Sequence, residues 1–304
     1  MRAQVAGTVR RCDIVPTSFH LSPDERVRAD GRRRLVNAKV IIDVPVPAGG
    51  NGAVSRTPAA GRFNAVTADP LVLVEDVDRA TTRLLETARG LDGAAVAGPS
   101  LLPVWTRGHV LTHLARNANS LVNLLTWART GVETPQYASV EQRNADIEAG
   151  ATRPAEVQLD DLSAACERFA TAARAMPAPA WSVEVAWRSG TRAPAAQVMW
   201  ARLREVEIHH VDLAAGYQPA DWPEAFTLRL LRWVARDFSE RDDGPRVVIR
   251  APEVGHDLPV GEGVTSPVVT GPAWAAAAWL IGRAAGDGLT VAPRGSLPPV
   301  PPLG

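Results

Sequence analysis

The chain has 304 residues, room for about two domains, and 46% of them are hydrophobic, enough for a sizeable core. Lys+Arg and Asp+Glu each number 33, so the net charge is zero and nothing in the balance selects a nucleic-acid or anionic-membrane partner. Two cysteines, Cys12 and Cys166, exclude a disulfide framework and a CxxC metal spacing and suit a reducing cytosol. No apolar run approaches the ~18 residues of a membrane span, and the arginine-bearing N-terminus lacks the apolar stretch of a secretory signal.

Residues 1–65 have arginine clusters, a turn-like glycine patch at Gly49–Gly52, one strand candidate (Leu35 to Pro45) and little periodicity. They read as a poorly ordered or mis-assigned extension, with Val66 as an alternative start; a basic nucleic-acid-binding arm is the weaker reading. From Asp69 to about Arg89 apolar residues recur at steps of three and four, the pattern of an amphipathic helix. A second helix runs from about Thr106, a plausible N-cap, to Thr130, with Gly131 as its stop. Residues 131–153 are a polar connection with a short helix at Val140 to Ala149. A third helix covers about Pro154 to Met176, and short strands or a loop from Val183 to Trp187 surround the turn Arg188-Ser189-Gly190. A fourth helix runs from about Ala195 to Ala215 and stops at Gly216, giving a four-helix bundle over residues 66–218. In residues 219–304 the texture changes. A helix from Trp222 to Ser239, strands at Arg246 to Arg250, Ser266 to Thr270 and Leu289 to Ala292, and an alanine-rich helix from Pro272 to Ala285 read as a small α+β domain, closed by an extended proline-rich tail.

The chemistry lies on the second and fourth helices. His109, His113, Asn117 and Ser120 share one stripe; Val198, Arg202, Glu205, His209 and Asp212 share another. Burying such stripes unpaired costs about 1–3 kcal/mol per unsatisfied group. A metal, or dense hydrogen bonding, removes that objection. His113 with the i,i+4 pair Glu205 and His209 makes a three-ligand site with an open position, the form of a catalytic rather than a structural metal site. The plainer alternative is a hydrogen-bonded histidine and a surface helix pair. His109 and the pair Glu207–His210 are further ligand options, although His210 points about 100° away from His209. No G-x-S-x-G, Walker A or dinucleotide-binding glycine motif is present.

The segments TRGHVLTHLARNANSLVNLLTWARTGVETPQY, RNADIEAGATRP and LREVEIHHVDLAAGYQPADWP resemble the mycothiol-dependent maleylpyruvate isomerase family, within the DinB-like metal-binding four-helix bundles. VTGPAWAAAAWLIGRAAGDGLTV, followed by LPPVPPL, is similar to that family's C-terminal domain, so the resemblance extends over about residues 68–304. It implies an α+β architecture, a DinB-like bundle followed by a small α+β domain, in a cytoplasmic monomer. It places the family's metal ligands on His113, Glu205 and His209 and its functional arginine on Arg283. It further implies Zn2+ or another divalent metal, and mycothiol as the thiol. The metal-bound thiolate adds to the double bond of maleylpyruvate and leaves again to give fumarylpyruvate. Arg283 would then hold a substrate carboxylate or enolate by a two-pronged contact, and the site would lie between the two domains. His109 and Asn117 would hydrogen-bond the thiol or substrate, and Asp212 would accept from a ligating histidine. Without the resemblance, Arg283 reads as an arginine near a helix C-terminus answering the dipole. A mycothiol S-transferase for another electrophile and a non-catalytic metal-binding regulator remain as rival functions.

Overall fold

The computed structural model describes residues 70–261 and 266–302. The expectations for residues 1–65 lie outside the described residues. The first helix, α1 (Pro70–Arg89), buries Leu73, Val77, Ala80, Leu84 and Ala88, the stripe expected from its periodicity. A single helical turn, α2 (Gly93–Ala97), follows; it is too short to leave a periodic signal. Helix α3 (Arg107–Thr130) starts at Thr106, whose hydroxyl accepts from the His109 amide at 3.3 Å. It ends at Gly131, which takes φ 73° and donates to the Trp127 carbonyl at 2.8 Å.

The connection that follows carries α4 (Val140–Ala151), capped by Ser139, and leads into α5 (Ala155–Arg174). Arg116 on α3 reaches Asp161 on α5 at 2.5 Å, and Arg153 reaches the same carboxylate at 2.6 Å. A two-stranded hairpin, β1 (Glu184–Ala186) and β2 (Arg192–Pro194), precedes α6 (Gln197–Asp212). Helix α6 is buried almost all round, as a central helix must be. The helices α1, α3, α5 and α6 form the bundle, with α3 and α6 antiparallel. Their pairing runs from Arg107, which caps the end of α6 by donating to the Leu213 carbonyl at 2.6 Å, to Asn117, which meets Arg202 at 2.8 Å.

The C-terminal region comprises α7 (Glu224–Ser239), β3 (Val247–Arg250), β4 (Leu258–Val260), β5 (Val268–Thr270), α8 (Ala273–Leu280) and β6 (Thr290–Ala292). The four strands form one sheet in the order β4-β3-β5-β6, with β3 and β5 parallel and the outer pairs antiparallel. Two details differ from the sequence reading. Strand β4 was not expected; it contains Pro259, which a ladder tolerates at the sheet's edge, where β4 sits. Helix α8 stops at Leu280 rather than Ala285. Gly282 takes φ 70° and donates to Trp279, and the Arg283 amide donates to Ala278 at 2.7 Å, the two crossing bonds of a Schellman end. Arg283 therefore leaves from a tight turn, not from a helix face.

Candidate metal centre

His113, Glu205 and His209 converge, and their nearest ligand atoms all lie within 4.8 Å of one another. Glu205 Oε2 is 2.9 Å from His113 Nε2 and 3.3 Å from His209 Nε2. The two imidazoles stand edge to face with centroids 4.7 Å apart. The i,i+4 spacing stacks Glu205 and His209 one turn apart on α6, and the antiparallel register brings His113 opposite them. All three side chains are buried. Ligand atoms about 2.0–2.2 Å from a tetrahedral ion lie roughly 3.3–3.6 Å from each other, so these donors need little adjustment to hold one. Two imidazole nitrogens and a carboxylate oxygen suit a divalent transition ion and leave a coordination position free.

The imidazole of His209 is held from behind. Its Nδ1–H donates to Asp212 Oδ2 at 2.8 Å, and Asp212 receives a two-pronged contact from Arg283, Nε to Oδ1 at 2.7 Å and Nη2 to Oδ2 at 2.9 Å. Asp212 is 0% exposed, so this pair is deeply buried. A carboxylate behind a ligating imidazole fixes its tautomer and raises its basicity. Burial opposes the charge on His209, but the hydrogen bonds and charges of Asp212 and Glu205 outweigh it and lift His209 to about 9. Burial dominates at His113, which falls to about 4 despite its bond to Glu205. Glu205 itself resists burial and stays well below the usual carboxylate range because both imidazoles donate to it. Without an ion, the site is thus a carboxylate beside one imidazolium and one neutral imidazole.

The two histidines differ in what faces their outer nitrogen. His113 Nδ1 accepts from the guanidinium of Arg143, on α4, at 3.3 Å. Arg143 also donates to Asn144 Oδ1 at 3.0 Å and lies 5.8 Å from the Tyr137 ring centroid. Trp105 covers the other side, its ring 5.5 Å from His113 and 6.0 Å from His109. Arg143, Tyr137 and Trp105 were not singled out from the sequence. Arg143 opens the RNADIEAGATRP segment, which was the one available signal.

His109 sits one turn from His113 at the rim. Its Nδ1 accepts from the Thr106 amide at 3.2 Å, and its Nε2 donates to Glu148 at 3.3 Å. Asn117, one turn deeper, accepts at its Oδ1 from Arg202 Nη1 at 2.8 Å. The two flank His113 on the expected stripe, each engaged with protein partners. Arg283 meets the centre through Asp212, and its fork is used there. Glu207 and His210 belong to another face. Glu207 takes Arg83 at 2.6 Å and Tyr217 at 2.6 Å, and His210 stacks on Tyr217 at 3.8 Å. They do not join the triad. No helix among the described residues is long and apolar enough to cross a membrane.

The family model of the mycothiol maleylpyruvate isomerase N-terminal domain matches residues 77–214. Two crystal structures of the mycothiol-dependent maleylpyruvate isomerase, one of them of a histidine-to-alanine mutant, are 31% identical to this chain. Each match covers 77% of this chain and 97% of the solved one, with a TM-score of 0.72. No curated protein sequence matches. The identity and the shared architecture along nearly the whole of those solved chains show that this chain belongs to the mycothiol-dependent maleylpyruvate isomerase family.

Proposed function

We propose that the chain is a metal- and mycothiol-dependent cis–trans isomerase that converts maleylpyruvate to fumarylpyruvate. The observation that carries this reading is the convergence of His113, Glu205 and His209 on one buried point in a chain of this family. A divalent ion there, Zn2+ by ligand type, supplies a thiol held as its thiolate, the nucleophile that reversible addition to a cis double bond requires.

The chain's own residues set the conditions for that chemistry. His113, Glu205 and His209 would hold the ion. Asp212 keeps the His209 proton on Nδ1, so that Nε2 presents its lone pair inward. Arg283 fixes Asp212 and stabilises its charge, so its contribution passes through the carboxylate rather than through a ligand. Trp105 and the bundle core keep bulk water from one side of the centre. His109, one turn toward the rim from His113, and Asn117, one turn deeper, are assigned to the thiol, which would have to draw them from their present partners. Residues 66–218 are taken as the metal-holding domain and residues 219–304 as the domain that contributes Arg283. Because Arg283 is engaged by Asp212, it no longer separates an isomerase from a mycothiol S-transferase, which the same thiolate would serve.

The deciding experiment is an assay of maleylpyruvate loss with zinc-loaded protein, with and without mycothiol, and again after chelation. Fumarylpyruvate should form only when both metal and thiol are present. Unchanged maleylpyruvate in the complete mixture would overturn the isomerase reading.

A further inference from the structure

Arg143 is 3% exposed, yet it has no carboxylate partner among the described residues. Among the described residues its guanidinium meets an amide oxygen, an imidazole nitrogen and the phenol of Tyr137. The carboxylates at the centre have partners: Glu205 lies 3.3 Å from the His209 imidazole, and Asp212 is paired with Arg283 at 2.7 Å. Arg143 is a buried cation without a carboxylate partner, and a divalent ion beside it would add to the positive charge. An uncompensated buried charge costs several kcal/mol unless something anionic answers it.

Two other arginines are buried without a carboxylate, Arg202 and Arg204, and Arg204 leaves its Nε and Nη1 without a hydrogen-bond partner among the described residues. Arg202 donates to the Leu114 carbonyl, Asn117 and Cys166, and Arg204 lies 4.0 Å from the centroid of Trp233. Arg143 differs in place, because its guanidinium reaches a residue of the triad itself. Only the His113 ring stands between it and the point where the three ligands converge, and burial keeps the adjacent Tyr137 phenol above its ordinary value, so that its hydroxyl stays neutral. Arg188, on the β1–β2 turn, brings a further half-buried positive charge close enough to feel Glu205. The bond from Arg143 to His113 also depends on a lone pair at Nδ1. A neutral imidazole that turns its Nε2 lone pair toward an ion carries its proton on Nδ1 instead. His113 then offers Arg143 a donor in place of an acceptor, and one arm of the guanidinium loses its partner.

We propose that Arg143 is the residue that grips a carboxylate of the substrate at this centre, a fork to which Tyr137 adds a hydroxyl donor. The proposal rests on the isomerase reading for the identity of the substrate and on the unmatched charge for the site. A carboxylate presented to Arg143 gives its charge a partner and replaces the bond to His113 with a charge-assisted one.

The test uses maleate, a stable cis-dicarboxylate, titrated calorimetrically into the zinc-loaded protein. Wild type should bind it saturably. Arg143→Met should bind it roughly 10- to 100-fold more weakly at unchanged zinc stoichiometry. Arg143→Lys, which keeps the charge and loses the fork, should fall between. If the Met variant fails to fold, the Lys variant carries the test: weakened binding supports the role, and wild-type affinity overturns it. A residue that merely props His113 would lower zinc affinity and leave maleate binding to the loaded protein intact, which also overturns the role, as does failure of wild type to bind maleate. Arg143-dependent maleate binding without maleylpyruvate turnover would remove the isomerase reading and leave the carboxylate site standing. Turnover with an unchanged KM in Arg143→Met would do the reverse.

Discussion

Asp212→Asn separates what the carboxylate does for folding from what it does for the metal. The substitution is nearly isosteric, so packing is kept, but three contacts change together. Asp212 accepts from His209 Nδ1–H at 2.8 Å and from Arg283 at 2.7 and 2.9 Å. An asparagine retains one acceptor oxygen and turns an NH2 toward either His209 or Arg283, both of which are donors. Removing one partner of a buried ion pair costs about 3–5 kcal/mol, because Arg283 keeps its charge in a place water does not reach. Losing the carboxylate behind a ligating imidazole costs about 10- to 100-fold in metal affinity, or roughly 1.4–2.8 kcal/mol. Urea denaturation of the chelated protein measures the first loss, and competition with a chromophoric zinc chelator measures the second. Arg283→Met is the control. It should also destabilise the fold but weaken zinc binding less, because Asp212 still accepts from His209. A folded Asp212→Asn protein with wild-type zinc affinity would refute the assignment of Asp212 as the partner that orients His209.

Three further outcomes are expected. His113→Ala should reduce bound zinc to near background and abolish thiol-dependent turnover together; full metal content by elemental analysis would remove His113 from the ligand set. With His209 lifted to about 9 and protonated near neutrality, metal binding should displace about one proton, and zinc affinity should rise roughly tenfold per pH unit below about 9. The sign for the metal-free fold is opposite: a raised folded pKa gives stability that is complete below about 6.5 and lost as pH climbs through about 9. Calorimetry in buffers of different ionisation enthalpy counts the released proton, and a count of zero would contradict a charged His209. Gly108→Ala should cost about 1–3 kcal/mol by overpacking, since an added Cβ would stand 2.4 Å from the Ala151 carbonyl oxygen; an unchanged urea midpoint would show that α3 and α4 part easily.

The long elements were legible because their ends are chemically marked. Thr106 and Gly131 bracket α3 within a residue, and the stripes on α3 and α6 place His113, Glu205 and His209 on facing surfaces. What escaped the sequence was set by distant partners. Asp212 and Arg283 are 71 residues apart and nothing local couples them, so Arg283 could be located but its partner could not. The end of α8 was misplaced because the alanine-rich run continues past the point where Gly282 adopts φ 70°. Arg143 lies on a short helix of weak amphipathic pattern, where a buried arginine and an exposed one look the same in sequence.

The asymmetry between the two imidazoles follows from what is packed behind each. The bundle helices alone provide the three donors, but the segments appended to the bundle determine how those donors behave. The C-terminal region reaches the centre through Arg283 and Asp212 and ends on the outer nitrogen of His209 as an acceptor, which raises basicity and favours the cation. The connection between α3 and α5 reaches the centre through Arg143 and ends on the outer nitrogen of His113 as a donor, which lowers basicity and brings unmatched positive charge. That approach is possible because α3 and α4 meet at glycines. A Cβ on Gly150 would stand 2.3 Å from Thr112 Cγ2, and one on Gly108 would strike the α4 backbone. On the proposed reading, metal affinity would be set chiefly from the C-terminal side and carboxylate binding from the α4 side. On that reading the two could change independently within one bundle, so that the ligand set is kept while the bound carboxylate changes.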